Sequence, residues 1–259
     1  MSGEACLYCG KDRHIPLTFA HMLAVSVQPG FCSACRGKLA PIAQTNGCIG
    51  CGRDLSRLDN AFYEHSLCHD CRNWRRKLSS YGRNYALYSY NDWMKELMTA
   101  FKFRSDSRIA DGFSSEWRAI YHKIEGRSWQ ARWERLWYEK VWQDPEPHLL
   151  VPIPISPQRL QERGFNQAEY LADMLDGEQI PVLVRANNDR KQSKKSRLER
   201  LRMDNQPFQL AAAYCDRIKG RKLLIIDDIY TTGATIRKAA ALLETAHPAK
   251  IDSLTLVHG

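Results

Sequence analysis

Short apolar runs alternate with longer stretches of helical periodicity along most of the chain after residue 84. Apolar runs predict β-strands at residues 148–155, 180–185, 223–228 and 251–258, and mixed alternation predicts another at 85–92. Apolar residues at positions 93, 94, 97, 98 and 101 repeat with the period of a helix, so residues 92–103 are predicted to be helical, with Asp92 as the N-cap. Strands that alternate with helices indicate βαβ units and a mainly parallel sheet.

Two of the predicted strands lead into polar loops that should meet at one edge of the sheet. The run 148–155 ends in prolines, which suits a strand that leaves the sheet. The run 223–228 ends in Asp227 and Asp228 and continues as "IYTTGAT", before a second helical pattern begins. Ligands of parallel sheets bind beyond the carboxyl ends of the strands, so the sequence predicts a ligand site where these two loops converge.

The loop after residue 230 has the composition of an anion site. It contains Thr231, Thr232, Gly233, Ala234 and Thr235. A loop that opens a helix offers free backbone N–H groups and the positive end of the helix dipole, which favour a phosphate. The threonine hydroxyls add donors, and the glycine allows the backbone to approach a ligand closely.

The two adjacent carboxylates need a different partner from the phosphate, because like charges repel. Asp227 and Asp228 can accept hydrogen bonds from vicinal hydroxyls or hold Mg²⁺ that other phosphates of the ligand bring with them. A ligand with a 5-phosphate, a ribose diol and a pyrophosphate satisfies all of these groups at once. The loops of nucleoside triphosphatases and of dinucleotide-binding proteins do not occur in the sequence. The alternative is a buried strand that merely ends in a polar turn.

Eight of the nine cysteines form four CxxC pairs near the start of the chain. They are Cys6 and Cys9, Cys32 and Cys35, Cys48 and Cys51, and Cys68 and Cys71. Each CxxC turn points two thiolates at one tetrahedral ion, so two turns complete a structural zinc site. Tandem ribbons are the simplest pairing, with the first two turns on one zinc and the last two on another, and a cross-braced arrangement is the alternative. We therefore expect two structural zinc ions per chain, whose binding supplies folding energy to a short segment.

The distribution of charge and hydropathy indicates which partners the protein binds and where in the cell it is expected. The formal net charge is +9, and residues 185–202 carry eight Lys or Arg against two acids. A second basic zone covers residues 1–83, with eleven Lys or Arg against six acids. Basic zones favour a phosphate or polyanion partner such as single-stranded DNA, although a solvated surface has the same composition. No apolar run is long enough to span a membrane and no secretory signal is visible, so a cytoplasmic protein is expected.

Taken together, these motifs resemble a known family. The stretch "LLIIDDIYTTGAT" resembles the phosphoribosyl-pyrophosphate (PRPP) motif of type I phosphoribosyltransferases. With the cysteine segment, "FKFRSD", "VPIPIS", "RGFNQA" and "QSKKSRLERL", nearly the whole chain resembles the ComF family. The resemblance implies a zinc-ribbon domain at residues 1–80 and a phosphoribosyltransferase-like α/β domain at residues 81–259. It also implies a role in uptake of transforming DNA beside a ComFA-type ATPase.

The resemblance further implies roles for individual positions. Asp227 and Asp228 would contact the ribose hydroxyls, and residues 231–235 would surround the 5-phosphate. The loop "PISPQRLQERGFNQ" would lie on the pyrophosphate side, and the segment "RKQSKKSRLERL" would close over the ligand. The residues expected to face the ligand from these two segments are Arg163, Gly164 and Asn166, with Arg159 as a weaker candidate, and Gln192, Lys194 and Arg197.

Three functional hypotheses are compatible with these motifs. The first is an uptake factor that binds phosphorylated ribose or the single strand itself. The second is a catalytic phosphoribosyltransferase, although no segment that would recognise a nucleobase (the hood of such enzymes) can be identified in the sequence. In the third, the sugar-phosphate pocket is a relic, and the cysteine segment acts through protein contacts.

Overall fold

The computed structural model describes residues 5–13, 29–43, 46–75, 80–103, 107–127, 146–186 and 206–259. The strands are β1 (Tyr63–Glu64), β2 (Leu67–Cys68), β3 (Tyr81–Ser89), β4 (Leu149–Pro152), β5 (Leu183–Arg185), β6 (Phe208–Leu210), β7 (Lys222–Tyr230) and β8 (Lys250–His258). The α-helices are α1 (Ser33–Arg36), α2 (His69–Arg75), α3 (Asp92–Phe103), α4 (Ser114–Ile124), α5 (Pro157–Arg163), α6 (Gln167–Asp173), α7 (Cys215–Ile218) and α8 (Ala234–Glu244). Short 3-10 helices cover Leu55–Arg57, Asn60–Phe62, Ser107–Phe113 and Ala212–Tyr214.

A four-stranded sheet forms the centre of the fold, in the order β3-β8-β7-β4. All three pairings are parallel, so the prediction of a mainly parallel α/β sheet is confirmed. The strand β4 lies at an edge and ends at Pro152, where a residue without a backbone N–H disturbs the ladder least. The carboxyl ends of β4 and β7 are neighbours, which brings the loops after them to the same edge of the sheet.

Both faces of the sheet are covered, as parallel sheets require. Along β7, Leu224 and Ile226 pack into one apolar cluster with helices α3, α4 and α6. Leu223 and Ile225 point the other way and pack with α8 and the two strands β5 and β6. This alternation explains why the strand appears in the sequence as an unbroken apolar run.

The structure differs from the sequence predictions in local details. The strand β3 begins at Tyr81, before the predicted start at residue 85. The helix α3 matches its predicted range, but its N-cap is Asn91, whose side-chain Oδ1 accepts a hydrogen bond from the Met94 backbone N–H at 2.7 Å. Asp92 is the first helical residue instead, where its charge suits the positive end of the helix dipole.

Only the last three residues of the strand predicted at 180–185 form a strand in the structure. Its last residues form β5, which pairs antiparallel with β6 in a separate two-stranded sheet. The partner strand β6 spans three residues, Phe208–Leu210, and is too short to produce a period in the sequence. This small sheet packs on the α8 side of the central sheet through Leu183 and Phe208.

The cysteines gather into two groups, which we call the first tetrad (Cys6, Cys9, Cys32, Cys35) and the second tetrad (Cys48, Cys51, Cys68, Cys71). The first tetrad contributes Cys6 and Cys35 to the apolar cluster on the α3 side of the sheet. The second tetrad belongs to the cluster on the α8 side. The two cysteine groups therefore pack with opposite faces of the same sheet.

Asn84 joins the second tetrad to the sheet. Its side chain is fully buried in β3, and its Nδ2 donates to the backbone oxygen of Cys51 at 3.0 Å. Its Oδ1 accepts from the hydroxyl of Ser253 on β8 at 2.8 Å, so one amide ties the cysteine segment to two strands. In the part of the chain that the structure describes, no helix is both long and apolar enough to cross a membrane.

Candidate functional site

A cleft of about 270 Å³ opens at the carboxyl ends of β4 and β7, and we call it the carboxyl-edge cleft. Its walls come from four segments: the end of α3, the loop after β4 with α5 and α6, the end of β5, and the loop after β7. Its polar lining residues are Lys102, Arg159, Arg163, Asn166, Gln167, Arg185, Asp227, Asp228, Thr231 and Thr235. The two loops that the sequence predicts to converge thus line one cavity.

The loop between β7 and α8, residues 231–235, has the geometry of an anion site. Gly233 has a left-handed backbone with φ of +73° and is followed by the first residue of α8. The residues Thr231, Thr232 and Thr235 are exposed, so their hydroxyls are accessible from solvent. The Thr232 hydroxyl accepts a hydrogen bond from the Ala234 backbone N–H at 3.4 Å. The next backbone N–H groups in the first turn of α8 have no acceptor inside the helix, as at any helix N-terminus, and such groups favour an anion.

A close contact with Tyr230 explains why residue 233 is a glycine. A Cβ atom at this position would lie 2.1 Å from the Tyr230 hydroxyl, inside any permitted contact distance. The Tyr230 ring is buried and stacks on the His258 imidazole with 5.0 Å between ring centroids. The loop is therefore pressed against a rigid aromatic support that belongs to β7 itself.

The two carboxylates at the end of β7 differ in their surroundings. Asp228 is buried to 8% exposure and its Oδ2 lies 2.6 Å from Nζ of Lys102, which comes from α3. Asp227 accepts a hydrogen bond from the Asp228 backbone N–H at 2.9 Å. Desolvation and the neighbouring charge of Asp228 raise the pKa of Asp227 above the usual range of a carboxyl group. One acid is thus neutralised by a lysine, and the other holds its proton to higher pH.

The segment after β4 is built around two helix caps. Ser156 caps α5, and its Oγ accepts from the Arg159 backbone N–H at 3.3 Å. The helix ends at Gly164, whose φ is +79°. Asn166 caps α6 through its Oδ1 and donates from Nδ2 to the Ile153 backbone oxygen at 3.1 Å. This buried amide fixes the loop against the end of β4.

Arg163 lies on the wall of the cleft, and its Nη1 donates to Oε1 of Gln167 at 2.9 Å. Arg159 lines the same cavity from the preceding turn of α5. Of the expected site residues, the cleft contains Arg163, Asn166, Asp227, Asp228, Thr231 and Thr235 in its lining. Gly164 shapes the turn beside it, while Gln192, Lys194 and Arg197 lie outside the described residues.

Two basic residues of the cleft are missing from the sequence-based candidates. Lys102 is the lysine of "FKFRSD", and only the fold brings it to Asp228. Arg185 ends β5, and its guanidinium lies 5.2 Å from the centroid of the Phe208 ring. Desolvation and the nearby charge of Arg159 lower the pKa of Arg185. Their mutual repulsion would be relieved by an anion between them.

The two tetrads have the geometry of four-thiolate metal sites. In each, the sulfur atoms lie within 4.8 Å of one another. The Sγ atoms of Cys9 and Cys32 are 3.8 Å apart, and those of Cys51 and Cys68 are 3.7 Å apart. A tetrahedral zinc with Zn–S bonds of about 2.3 Å would hold its sulfurs about 3.8 Å apart. Each tetrad combines two consecutive CxxC turns, and the cysteines present fit zinc.

Backbone donors and burial distinguish the tetrads further. The Cys48 sulfur accepts backbone N–H groups of Gly50 at 3.4 Å and Cys68 at 3.3 Å. Such contacts stabilise a thiolate. All four cysteines of the second tetrad are buried, whereas Cys9 of the first tetrad is exposed. We therefore expect the second site to exchange its metal more slowly than the first.

A second cleft, of about 260 Å³, opens at the carboxyl ends of β3 and β8. It lies between the segment after Cys51 and the sheet, and Arg53, Tyr90 and His258 line it. The His258 side chain is buried, and its Nδ1 lies 2.7 Å from the Gly259 backbone oxygen. Its Nε2 has no hydrogen-bond partner among the described residues. This cleft occupies the same edge of the sheet as the carboxyl-edge cleft.

The chain is similar to proteins of known families over two different extents. The phosphoribosyl transferase domain model matches residues 163–259. The competence protein ComFC of Bacillus subtilis is 35% identical over 257 residues, which cover 97% of this chain and 94% of that protein. The ComFC of Streptococcus pneumoniae is 31% identical over 254 residues, covering 97% and 99%. The competence protein F of Haemophilus influenzae is 24% identical over 243 residues, covering 92% and 90%.

These extents relate the comparisons to the site. The domain model begins at Arg163 and includes the acid pair and the threonine loop, and it does not reach the cysteine segment. The similarity to the competence proteins covers nearly the whole chain, including that segment. The similarity to the competence proteins therefore extends over both the cysteine segment and the sheet of this chain.

The contacts of Gly233 predict that alanine destabilises the fold more at position 233 than at position 164. Gly233→Ala should lower the free energy of unfolding by about 2 to 5 kcal/mol, because left-handed strain is added to overpacking against Tyr230. Gly164→Ala is the matched control, since its φ is also positive but no atom lies within 4 Å of the added Cβ. It should cost about 1 to 2 kcal/mol. Urea unfolding measures both, and equal losses would contradict the role assigned to Tyr230.

The raised pKa of Asp227 predicts a stability gain for Asp227→Asn that grows with pH. The unfolded chain ionises this group at its ordinary pKa, so the folded state becomes relatively less stable as pH rises from that value through the raised one. The amide keeps the acceptor for Asp228 and removes the charge. We expect the midpoint of thermal unfolding to rise by about 2 to 4 °C above pH 8, the shift for roughly 1 kcal/mol in a chain of this size. At pH 4 the gain should vanish.

The control for this measurement is Asp216→Asn, which changes an exposed aspartate in α7. It should leave the pH dependence of stability as it is in the parent protein. If Asp227→Asn were less stable than the parent at every pH, then the carboxylate would stabilise the fold, and the account of its surroundings would be wrong.

Proposed function

This chain belongs to the ComF family of competence proteins, and from that premise we propose that it serves the uptake of transforming DNA. In this proposal, the carboxyl-edge cleft binds a phosphorylated ribose of the PRPP type. The basic segments contact single-stranded DNA, and the protein works beside a ComFA-type ATPase. The observation that carries the proposal is the meeting of an exposed threonine loop, two acids and four basic side chains in one cleft.

The chemistry of the cleft divides into three parts that match such a ligand. The loop 231–235 offers hydroxyls and the start of α8 to a 5-phosphate. Asp227 and Asp228 offer oxygens to the ribose hydroxyls. Arg159, Arg163 and Arg185 offer guanidinium groups to a pyrophosphate, which they can bind through paired hydrogen bonds.

Mg²⁺ belongs to this proposal as a companion of the ligand. A pyrophosphate carries Mg²⁺ into a site, and a carboxylate such as Asp227 can hold the ion together with phosphate oxygens. The ion would then favour the ionised form of this acid and so oppose the local rise of its pKa. In the same site Lys102 forms an ion pair with Asp228, with Nζ and Oδ2 2.6 Å apart.

We also assign two zinc ions to the chain, one in each tetrad. Bound zinc would hold together short segments that have little secondary structure of their own. The division at residue 80 into a zinc-ribbon unit and a phosphoribosyltransferase-like unit remains part of this proposal. The segment with Gln192, Lys194 and Arg197 is proposed to cover the bound ligand.

Calorimetry with PRPP and Mg²⁺ tests the ligand. We expect binding by the parent protein and its loss when Asp227→Ala is combined with Asp228→Ala. Arg163→Ala should weaken PRPP about 10- to 100-fold, the equivalent of one hydrogen bond to a charged group, and should affect ribose 5-phosphate less. Thr231→Val with Thr235→Val should weaken both ligands alike. Asp216→Ala is the matched control, and a parent protein that shows no heat with either ligand would contradict the proposal.

The dependence of DNA binding on salt tests the second part of the function. If basic residues contact the phosphates of single-stranded DNA, the logarithm of the affinity should fall linearly with the logarithm of the salt concentration. Each phosphate contact contributes a slope of about −0.7 for a single strand. Replacing Lys194 and Lys195 by Gln should make the slope shallower by up to about 1.4. An affinity that stays constant between 50 and 200 mM salt, roughly the range over which such contacts weaken, would refute this contact.

A catalytic phosphoribosyltransferase is the second candidate, and the cleft beside His258 favours it. The His258 imidazole lines this cleft with its Nδ1 2.7 Å from the Gly259 backbone oxygen, and burial with the charge of Arg53 lowers the pKa of His258 to about 4. In this second proposal the acceptor enters this cleft, which lies at the same edge of the sheet as the carboxyl-edge cleft. Release of pyrophosphate from PRPP on addition of nucleobases would identify the activity, and its absence with all common bases would favour the binding role.

A further inference from the structure

Arg237 is a buried cation on α8, one turn after the loop 231–235. Arg237 is 4% exposed, and its guanidinium lies near one ring of the cysteine segment and one ring of β3. The guanidinium carbon lies 5.1 Å from the ring centroid of Trp74 and 5.4 Å from that of Tyr81. Aromatic faces attract a guanidinium, but they carry no net charge to balance it.

The hydrogen bonds of Arg237 point to the second tetrad. Its Nη2 donates to Sγ of Cys71 at 3.4 Å, and its Nε donates to the hydroxyl of Tyr230 at 3.2 Å. Within the described ranges it forms no ion pair with a carboxylate. A buried charge without a counter-charge is strongly unfavourable, so the fold requires a negative group beside this arginine.

Four thiolates around one Zn²⁺ carry a net charge of −2 and satisfy that requirement. We propose that Arg237 is the counter-ion of the metal-loaded second tetrad, and that through this contact occupancy of the tetrad controls the conformation of the loop 231–235. Among the described contacts, Arg237 reaches Cys71 of the second tetrad and no cysteine of the first. The part of the proposal that concerns the loop rests on the proposed binding of a sugar phosphate there.

The path from metal to loop consists of direct contacts. Cys71 accepts from Arg237, Arg237 donates to Tyr230, and the Tyr230 hydroxyl lies against Gly233. The Arg237 backbone N–H also donates to the Gly233 oxygen at 2.9 Å, which closes the first turn of α8. When the tetrad loses its metal, the sulfur of Cys71 is no longer held in place beside Arg237, next to this turn. The loop then loses the support that sets its backbone.

Release of zinc to a chelator, followed by native mass spectrometry, tests the counter-ion. The parent protein should lose its two zinc ions in two phases, the faster from the first tetrad with its exposed Cys9. Arg237→Met should accelerate only the slower phase, about tenfold or more, because it removes a hydrogen bond from a charged donor to the thiolate. Arg237→Lys keeps the charge and should lie between the two. Arg217→Met, which breaks an exposed ion pair with Glu178, should release both ions like the parent.

The possible outcomes separate the counter-ion from general destabilisation. Acceleration of the slower phase alone, with partial rescue by lysine, supports the proposal. Unchanged release in Arg237→Met overturns it, and so does equal acceleration of both phases, since that would reflect loosening of the whole fold. None of these results depends on whether the protein binds a sugar phosphate.

The affinity for ribose 5-phosphate tests the link to the loop, and this probe is preferred because PRPP would bring Mg²⁺, which the chelator also binds. Protein that has lost only the faster zinc should bind the probe like fully loaded protein. Loss of the slower zinc should weaken binding about tenfold or more. Equal affinity before and after that loss would overturn the link. A fully loaded protein that does not bind the probe would instead contradict the proposed function and leave the counter-ion result standing.

Discussion

Burial of the central sheet on both faces is the constraint on which the rest of the structure depends. Because neighbours on β7 point alternately into two apolar clusters, no charged side chain can be placed along its centre without being buried unpaired. The first acids of this strand therefore appear at its carboxyl end, at Asp227 and Asp228. The same constraint acts on β4, and the two polar loops meet because these strands are neighbours. On β4 and β7 the polar side chains therefore follow the apolar run of each strand, and the cleft forms where the two carboxyl ends meet.

The electrostatics of the cleft follow from crowding several charges into the edge of that sheet. Lys102 balances Asp228, whereas Asp227 receives no such partner within the described residues and has a raised pKa. From two other segments of the lining, Arg159 and Arg185 add positive charge, and desolvation and the charge of Arg159 lower the pKa of Arg185. An anion with hydroxyl groups would satisfy both walls at once, since its charge separates the guanidinium groups while its hydroxyls donate to the acids. These charges support the proposal that the cleft binds such an anion.

Local chemistry decided how much of this could be predicted from the sequence. The strand, loop and helix around Asp227 are contiguous in sequence, and each CxxC turn is a local unit, so the sequence alone was enough to identify these two motifs. Lys102 and Arg185 were missed because they reach the cleft only through the packing of α3 and of the β5–β6 sheet. The sequence could not decide between Asn91 and Asp92 as the N-cap, because both residue types cap helices well. In the structure it is the Asn91 side chain that accepts the Met94 N–H.

The second tetrad shows how the cysteine segment and the sheet depend on each other. Asn84 spans from Cys51 to Ser253, and Arg237 spans from Cys71 to Tyr230, so two buried polar side chains cross the boundary in addition to apolar contacts. Each has lost its water and retains its hydrogen bonds only while both parts stay together. A metal site joined to the sheet in this way would contribute its binding free energy to the loop 231–235 as well as to the ribbon. The zinc would then be a structural element of the ligand site, although it lies outside the cleft.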